Sequence, residues 1–279
     1  MATATQLGIG VIGLLATSSW ISTPTRAASL PAAEDAAKVR LNESPRHAEL
    51  ATIEVRGTPV RVWVVYPERK DAAPAVIVIH EIFGLTDWIR AVADQLAADG
   101  FLAVAPDLLS GKGPGGGGTD AYPSRDDVTK AVSGLARDEV IARMDAVRDW
   151  ALARPAANGK SASIGFCWGG STSFAWAVAQ PGLAAAVVYY GTAPDDLSKL
   201  SAVKAPILGL YGGSDARVDA TIPATEAKMK ELGKVYEPHV FEGAGHGFLR
   251  AQDAQSGANL RATERAWPLT VAFLRQHTK

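Results

Sequence analysis

The segment that most constrains the fold of this chain is 165–170, with the sequence GFCWGG. Residues 161–164 before it are typical of a short β-strand, and the small residues of 171–179 favour a helix. Glycines on both sides permit a sharp strand-to-helix turn, which lifts the central side chain into the open. Cys167 is the only cysteine among 279 residues. We predict that it is a nucleophile rather than an inert buried thiol, and its position at a helix N-terminus favours the thiolate.

Two later motifs supply an acid and a base in the chain order of the α/β-hydrolase arrangement, where the histidine comes last. An apolar strand predicted over 206–211 runs into Gly-Gly-Ser-Asp, which places Asp215 at its carboxyl end. A strand predicted over 235–241 leads to His246, which has glycines on both sides. We predict that Cys167 attacks an acyl carbon, that His246 holds and returns the proton, and that Asp215 orients the imidazole. The alternative for Asp215 is a turn-forming residue.

A second informative segment is the branched apolar run 75–79, which predicts a buried parallel strand ending in polar residues. Open α/β sheets place their ligands at such strand ends. We predict that the backbone N–H groups of Ile82 and Trp168 form an oxyanion hole. Glu81 is expected within reach of the nucleophile, with a solvated loop charge as the alternative, and His80 is the one histidine that competes with the predicted base.

Four motifs together resemble the dienelactone hydrolase family, the carboxymethylenebutenolidases. They are GxCxGG, HEIFGL at 80–85, GGSD at 212–215 and GAGHGF at 243–248, and the resemblance spans about residues 50–278. It implies an α/β-hydrolase fold and hydrolysis of an ester or lactone, most closely a dienelactone, through a Cys-His-Asp triad and a thioester. No cofactor or metal is implied, and the sequence has no motif that requires a metal.

The resemblance also implies roles for residues around the triad. In the resting state the thiol is neutral and pairs with the loop carboxylate, here Glu81, until substrate binding displaces that carboxylate and frees it to take the proton. Two arginines hold the carboxylate of the substrate, and their positions match Arg250 and Arg125. A planar guanidinium suits this role because it binds a carboxylate through two parallel hydrogen bonds. The alternative for each arginine is an ordinary solvated side chain.

Strands alternate with helices along the chain, which predicts one doubly wound, mostly parallel sheet with helices on both faces over residues 51–279. Segments 51–55 and 60–66 predict an antiparallel hairpin at the sheet edge. The Ala- and charge-rich extension 28–50 is expected to lie loosely on the surface. The glycine-rich run 111–118 predicts a mobile loop, either a lid over the site or a plain surface loop.

Residues 1–27 are predicted to be a secretory signal peptide, because the apolar run 7–16 is followed by a small-residue cleavage region. No lysine or arginine precedes that run, which departs from the usual pattern. We therefore expect a secreted or periplasmic enzyme, with a disordered tail on a cytoplasmic protein as the alternative. An apolar run of this length is too short to span a bilayer.

Charge composition limits the classes of partner. There are 28 basic and 29 acidic residues, a formal net charge of −1, so no basic surface favours nucleic acid or anionic lipid. A small-molecule ester or lactone is the expected partner, and we expect a monomer. Among hydrolases, the alternative to a dienelactone hydrolase is a general carboxylesterase or thioesterase of the same fold. The alternative outside the hydrolases is a non-catalytic binding protein with the α/β-hydrolase fold.

Overall fold

The computed structural model of the chain describes residues 1–3 and 30–279. The strands are β1 Ala48–Val55, β2 Thr58–Val65, β3 Ala73–Ile79, β4 Leu102–Pro106, β5 Ala157–Phe166, β6 Ala185–Tyr189, β7 Ile207–Gly212 and β8 Tyr236–Phe241. The helices are α1 Ala37–Glu43, α2 Asp87–Ala98, α3 Arg125–Ser133, α4 Arg137–Leu152, α5 Trp168–Ala179, α6 Ala216–Asp219, α7 Ile222–Glu231 and α8 Ala258–His277.

The eight strands form one mixed sheet in the order β1-β2-β4-β3-β5-β6-β7-β8. Pairing is antiparallel from β1 to β2 and from β2 to β4, and parallel from there to β8. All of β3 is buried, as its unbroken apolar run predicts for a strand covered on both faces. Helices α2 and α8 pack on one face, and α4, α5 and α7 pack on the other. The predicted doubly wound α/β sheet and its edge hairpin are confirmed.

The N-terminal extension corrects the expectation for 28–50, because its described part is docked rather than loose. Ala37 is 1% exposed and belongs to the core under α2. The indole N–H of Trp88 donates to the carbonyl of Ala32 at 3.1 Å, and Arg46 pairs with Asp94 at 2.7 Å. Apolar packing and buried polar partners therefore hold a segment whose composition alone resembles a solvated tail.

The predicted signal peptide at 1–27 lies outside the described residues except for 1–3. Within residues 1–3 and 30–279, the structure contains no helix that is long and apolar enough to cross a bilayer.

The glycine-rich run at 111–118, which the sequence predicts to be a mobile loop, contains a hydrogen-bonded turn in the structure. The N–H of Gly113 donates to the carbonyl of Gly117 at 2.9 Å and closes a short turn. At the end of the run, the carboxylate of Asp107 accepts hydrogen bonds from the backbone N–H and the hydroxyl of Thr119 at 2.8 and 2.7 Å. The same hydroxyl accepts from the N–H of Leu85 at 3.1 Å. This segment therefore supports the loop that follows β3.

Candidate active site

The turn between β5 and α5 has the geometry of a nucleophile elbow. Cys167 lies between these two elements with φ 55° and ψ −116°, in a region that side-chain-bearing residues rarely adopt. A Cβ at Gly165 would lie 1.9 Å from the carbonyl oxygen of Gly169. A Cβ at Gly169 would lie 2.3 Å from the carbonyl oxygen of His80. The glycines of the motif therefore let α5 approach β5 and the end of β3 more closely than any side chain permits.

Replacing Gly169 with alanine tests this packing. We expect Gly169→Ala to lower the free energy of unfolding by about 3 kcal/mol, because backbone must move to admit the methyl group. Gly134→Ala is the matched control: its Cβ would meet its nearest atom at 3.4 Å, and its φ of −87° suits alanine. Urea denaturation of both variants gives the comparison. Equal stability of the two would contradict the account of the elbow.

The acid and base predicted from the sequence are joined by a hydrogen bond. Asp215 follows β7 and His246 follows β8, and Nδ1 of His246 lies 2.5 Å from Oδ2 of Asp215. Because a carboxylate only accepts, Nδ1 carries the proton and Nε2 is left as the basic nitrogen. The ring of Tyr190 packs edge-on against the imidazole with centroids 5.1 Å apart. An imidazole held in this tautomer is suited to general base chemistry.

The Cys167 thiol is half-buried, and it is not hydrogen-bonded to the predicted base. Its backbone N–H donates to the carbonyl of Tyr189 at 3.0 Å, which places the turn at the ends of β5 and β6. Among residues 30–279, no hydrogen bond joins the thiol to His246 or to Glu81. Burial is the main cause that raises the pKa of the Cys167 thiol, and the negative charge of Glu81 raises it further. These effects oppose the helix N-terminus and favour the neutral thiol over the thiolate.

Glu81 is buried at the end of β3 and pairs with an arginine rather than with the thiol. It is 3% exposed, and its Oε2 lies 2.8 Å from Nε of Arg250. Burial raises the pKa of Glu81 to about 7, against the opposing effect of the Arg250 charge. A carboxyl group with this pKa is able to hold or release a proton near neutral pH.

This raised pKa predicts a pH dependence of stability. The folded state holds the Glu81 proton more tightly than the unfolded chain, where the carboxyl has its usual pKa of 4.5. The stabilisation of the folded state by this tighter proton binding is therefore fully present below pH 4.5 and is lost as the pH rises through about 7. Over that range we expect the free energy of unfolding of the native protein to fall by about 3 kcal/mol because of Glu81. In Glu81→Gln this fall should be absent. Glu54→Gln, at an exposed position of β1, is the control. Parallel stability curves for Glu81→Gln and the native protein, measured by denaturation at each pH, would contradict this.

The two backbone groups predicted for the oxyanion hole lie on adjoining segments. Trp168 is the first residue of α5, where N–H groups have no partner within the helix. Ile82 lies inside the turn that the N–H of Gly84 closes onto the carbonyl of Glu81 at 3.1 Å. The indole of Trp168 stacks on the His80 ring with centroids 5.6 Å apart, and this contact holds the two segments together. The arrangement suits two donors beside one carbonyl oxygen.

His80 competed for the role of base in the sequence, but within residues 30–279 it makes no hydrogen bond or ring contact with Cys167, Asp215 or His246. It is fully buried, and its Nδ1 lies 2.7 Å from the carbonyl oxygen of Glu81. Burial lowers the pKa of the His80 imidazole, so the ring is held neutral. Its contacts are with the turn and with Trp168, which makes it a support for the loop after β3.

The structure brings Arg125 and Arg250 together over one aromatic ring. Their guanidinium carbons lie 3.6 and 5.4 Å from the centroid of Phe83. A residue that the sequence analysis missed lies between them: Glu34, from the N-terminal extension. Its Oε1 is 3.2 Å from Nη2 of Arg125, and its Oε2 is 2.5 Å from Nη1 of Arg250. No motif includes Glu34, and only the docking of its segment reveals its place.

The sheet order, the turn after β5 and the Asp–His pair after β7 and β8 define an α/β-hydrolase. Residues 60–278 match the family model described as the dienelactone hydrolase family. The chain belongs to the dienelactone hydrolase family and is a hydrolase.

Relatives and solved structures agree with this assignment. A protein of Saccharolobus solfataricus named "Putative carboxymethylenebutenolidase" is 30% identical over 80% of this chain and 96% of its own. A carboxymethylenebutenolidase of Pseudomonas putida is 31% identical over 66% of this chain and 79% of its own. The crystal structure of a "Putative Dienelactone Hydrolase" from Klebsiella pneumoniae aligns with a TM-score of 0.74 at 28% identity, covering 83% of this chain and 99% of that one.

Proposed function

We propose that this protein hydrolyses a carboxylic ester or lactone through a thioester on Cys167, and that a dienelactone-type lactone is the substrate class favoured by its family. The observation that carries the proposal is the 2.5 Å contact of His246 with Asp215 beside a cysteine held in an elbow turn. Such a constellation performs nucleophilic acyl transfer on this and unrelated folds.

In the first half of the reaction, the thiol proton passes to Nε2 of His246, directly or by way of Glu81. A pKa of about 7 suits a carboxylate that must accept and release a proton. The sulfur forms a bond to the carbonyl carbon, and the N–H groups of Ile82 and Trp168 stabilise the oxyanion. The C–O bond then breaks, the leaving oxygen takes the proton from His246, and the thioester remains.

In the second half, His246 takes a proton from a water molecule, whose oxygen attacks the thioester carbonyl. The C–S bond breaks as the second tetrahedral intermediate collapses. The sulfur takes the proton back from His246, so the acid product leaves and Cys167 returns to the thiol. Asp215 holds the imidazole in its tautomer throughout and stabilises the imidazolium that forms in each half.

General carboxylesterase activity on neutral esters is the second candidate, and one observation favours it. Glu34 already pairs with Arg125 and Arg250, the two cations that the family resemblance assigns to the substrate carboxylate. A neutral ester does not compete with that carboxylate. The same triad and the same thioester serve either substrate.

Direct assays separate these functions from each other and from a non-catalytic binding protein. Loss of a dienelactone is followed by ultraviolet absorbance, and release of nitrophenol is followed from a neutral nitrophenyl ester. Turnover of either substrate supports the hydrolase, and turnover of the ester alone points to the general esterase. Absence of turnover with both substrates, in protein that remains folded, would contradict the proposal and favour the binding protein.

A further inference from the structure

The structure holds a carboxylate between two arginines, and that carboxylate belongs to the chain itself. Each oxygen of Glu34 faces a different guanidinium, at 3.2 Å from Arg125 and 2.5 Å from Arg250. Both guanidiniums also face the ring of Phe83. Two cations that converge on an aromatic face form a site whose geometry suits an anion of this size.

The segment that carries Glu34 is fixed on the body of the protein. The N–H of Glu34 donates to the carbonyl of Arg250 at 3.0 Å. The side-chain amide of Gln252 donates to the carbonyl of Pro31 at 2.9 Å, and Trp88 donates to Ala32 at 3.1 Å. Because these bonds anchor the backbone from Pro31 to Glu34, the Glu34 carboxylate is positioned over the arginines before any ligand arrives.

This pair of arginines adjoins the proposed nucleophile. Arg250 lies 2.8 Å from the Glu81 carboxylate through Nε and contacts Glu34 through Nη1, so one guanidinium is shared by two carboxylates. Ile79 of β3 pairs with Gly165 of β5, so Glu81 and Cys167 each lie two residues beyond a paired position at the ends of neighbouring parallel strands. A ligand carboxylate placed at the arginines would therefore belong to a substrate that reaches Cys167.

We propose that Glu34 is a specificity-determining residue, which occupies the two-arginine site with an internal carboxylate and so selects neutral acyl groups against acyl groups that carry a carboxylate. This inference rests on the proposed function, because it assumes acyl transfer at Cys167, and of the two candidate substrate classes it favours the neutral ester over the dienelactone, which carries a carboxylate. An anionic substrate must displace Glu34, leave a like charge nearby and still compete for Arg250. A neutral substrate meets none of these costs.

The test compares two nitrophenyl esters that differ only at the end of the acyl chain. Nitrophenyl pentanoate ends in a methyl group, and nitrophenyl hydrogen glutarate ends in a carboxylate. We expect Glu34→Ala to raise the ratio of kcat/KM for the anionic ester over the neutral one by about tenfold or more, mainly through a lower KM. Glu34→Gln, which keeps the shape and removes the charge, is expected to move the ratio in the same direction.

Two further variants control for charge and location. Asp35→Asn removes the same charge from the neighbouring exposed residue, which makes no ion pair within residues 30–279, and it should leave the ratio unchanged. Adding Arg125→Ala to Glu34→Ala should cancel most of the gain. An unchanged ratio in both Glu34 variants, or an equal gain in Asp35→Asn, would overturn the proposal.

A binding measurement keeps this test separate from the proposed function. In Cys167→Ala protein, calorimetry reports the affinity for nitrophenyl hydrogen glutarate without turnover, and adding Glu34→Ala should tighten binding about tenfold. Equal affinity with and without Glu34 would overturn the inference even if every ester is hydrolysed. Absence of ester hydrolysis in all variants that have Cys167 would instead refute the proposed function.

Discussion

Replacing Cys167 with alanine is expected to lower kcat/KM by about 10⁴-fold or more for any ester or lactone that the native protein hydrolyses. The reason is that alanine has no atom able to form the acyl intermediate, whereas the oxyanion donors and the Asp–His pair remain in place. The measurement is the steady-state rate with a neutral nitrophenyl ester and with a dienelactone.

The chain has a single cysteine, so no second thiol substitutes for it. The control for this variant is its own fold: thermal unfolding and circular dichroism should match those of the native protein. Cys167 already carries a side chain at φ 55°, so alanine, which is smaller, adds no steric demand at the elbow and leaves the flanking glycines untouched. Folded Cys167→Ala protein that keeps more than a tenth of the native rate would show that another group is the nucleophile.

Replacing Asp215 with asparagine is expected to lower kcat by about 10³-fold while KM changes little. The amide of asparagine presents a donor as well as an acceptor to Nδ1 of His246, at the position where the carboxylate now accepts at 2.5 Å. The imidazole is then no longer held in the tautomer with a free Nε2, and the imidazolium loses its counter-charge.

The matched control for this substitution is Asp219→Asn. Asp219 is the last residue of α6, and burial and then the nearby Asp215 charge raise its pKa. Among the described residues it makes no hydrogen bond to the imidazole, which Asp215 binds. We expect its kcat to stay within about twofold of the native value. Equal losses in the two variants would mean that charge in this region matters and that the bond to His246 does not.

The fold was predictable from the sequence because each element carries its own signal. The apolar run of β3 and the hairpin of β1 and β2 both follow from local pattern. The elbow was predictable for a stronger reason. At Gly169 a Cβ would meet backbone atoms of another strand, and only glycine meets that requirement.

The parts that escaped prediction depend on contacts between distant segments. Glu34 and Arg250 are 216 residues apart, and no property of either predicts that they pair. The composition of 28–50 resembles a solvated tail, yet Ala37 is buried and Arg46 reaches Asp94. The family resemblance implies the neutral thiol of Cys167, but it does not predict that Glu81 pairs with Arg250 rather than with that thiol. These effects are decided by tertiary packing, which local pattern does not encode.

The assignment of Cys167 as the residue that carries the acyl group is best tested by locating that group on the chain. The protein is mixed with a neutral nitrophenyl ester, quenched in acid during the burst of nitrophenol, digested and analysed by mass spectrometry. We expect the acyl mass on the peptide that contains Cys167, released by hydroxylamine as a thioester, with no such adduct in Cys167→Ala. An acyl group on another residue, or a burst that persists in Cys167→Ala, would contradict the account.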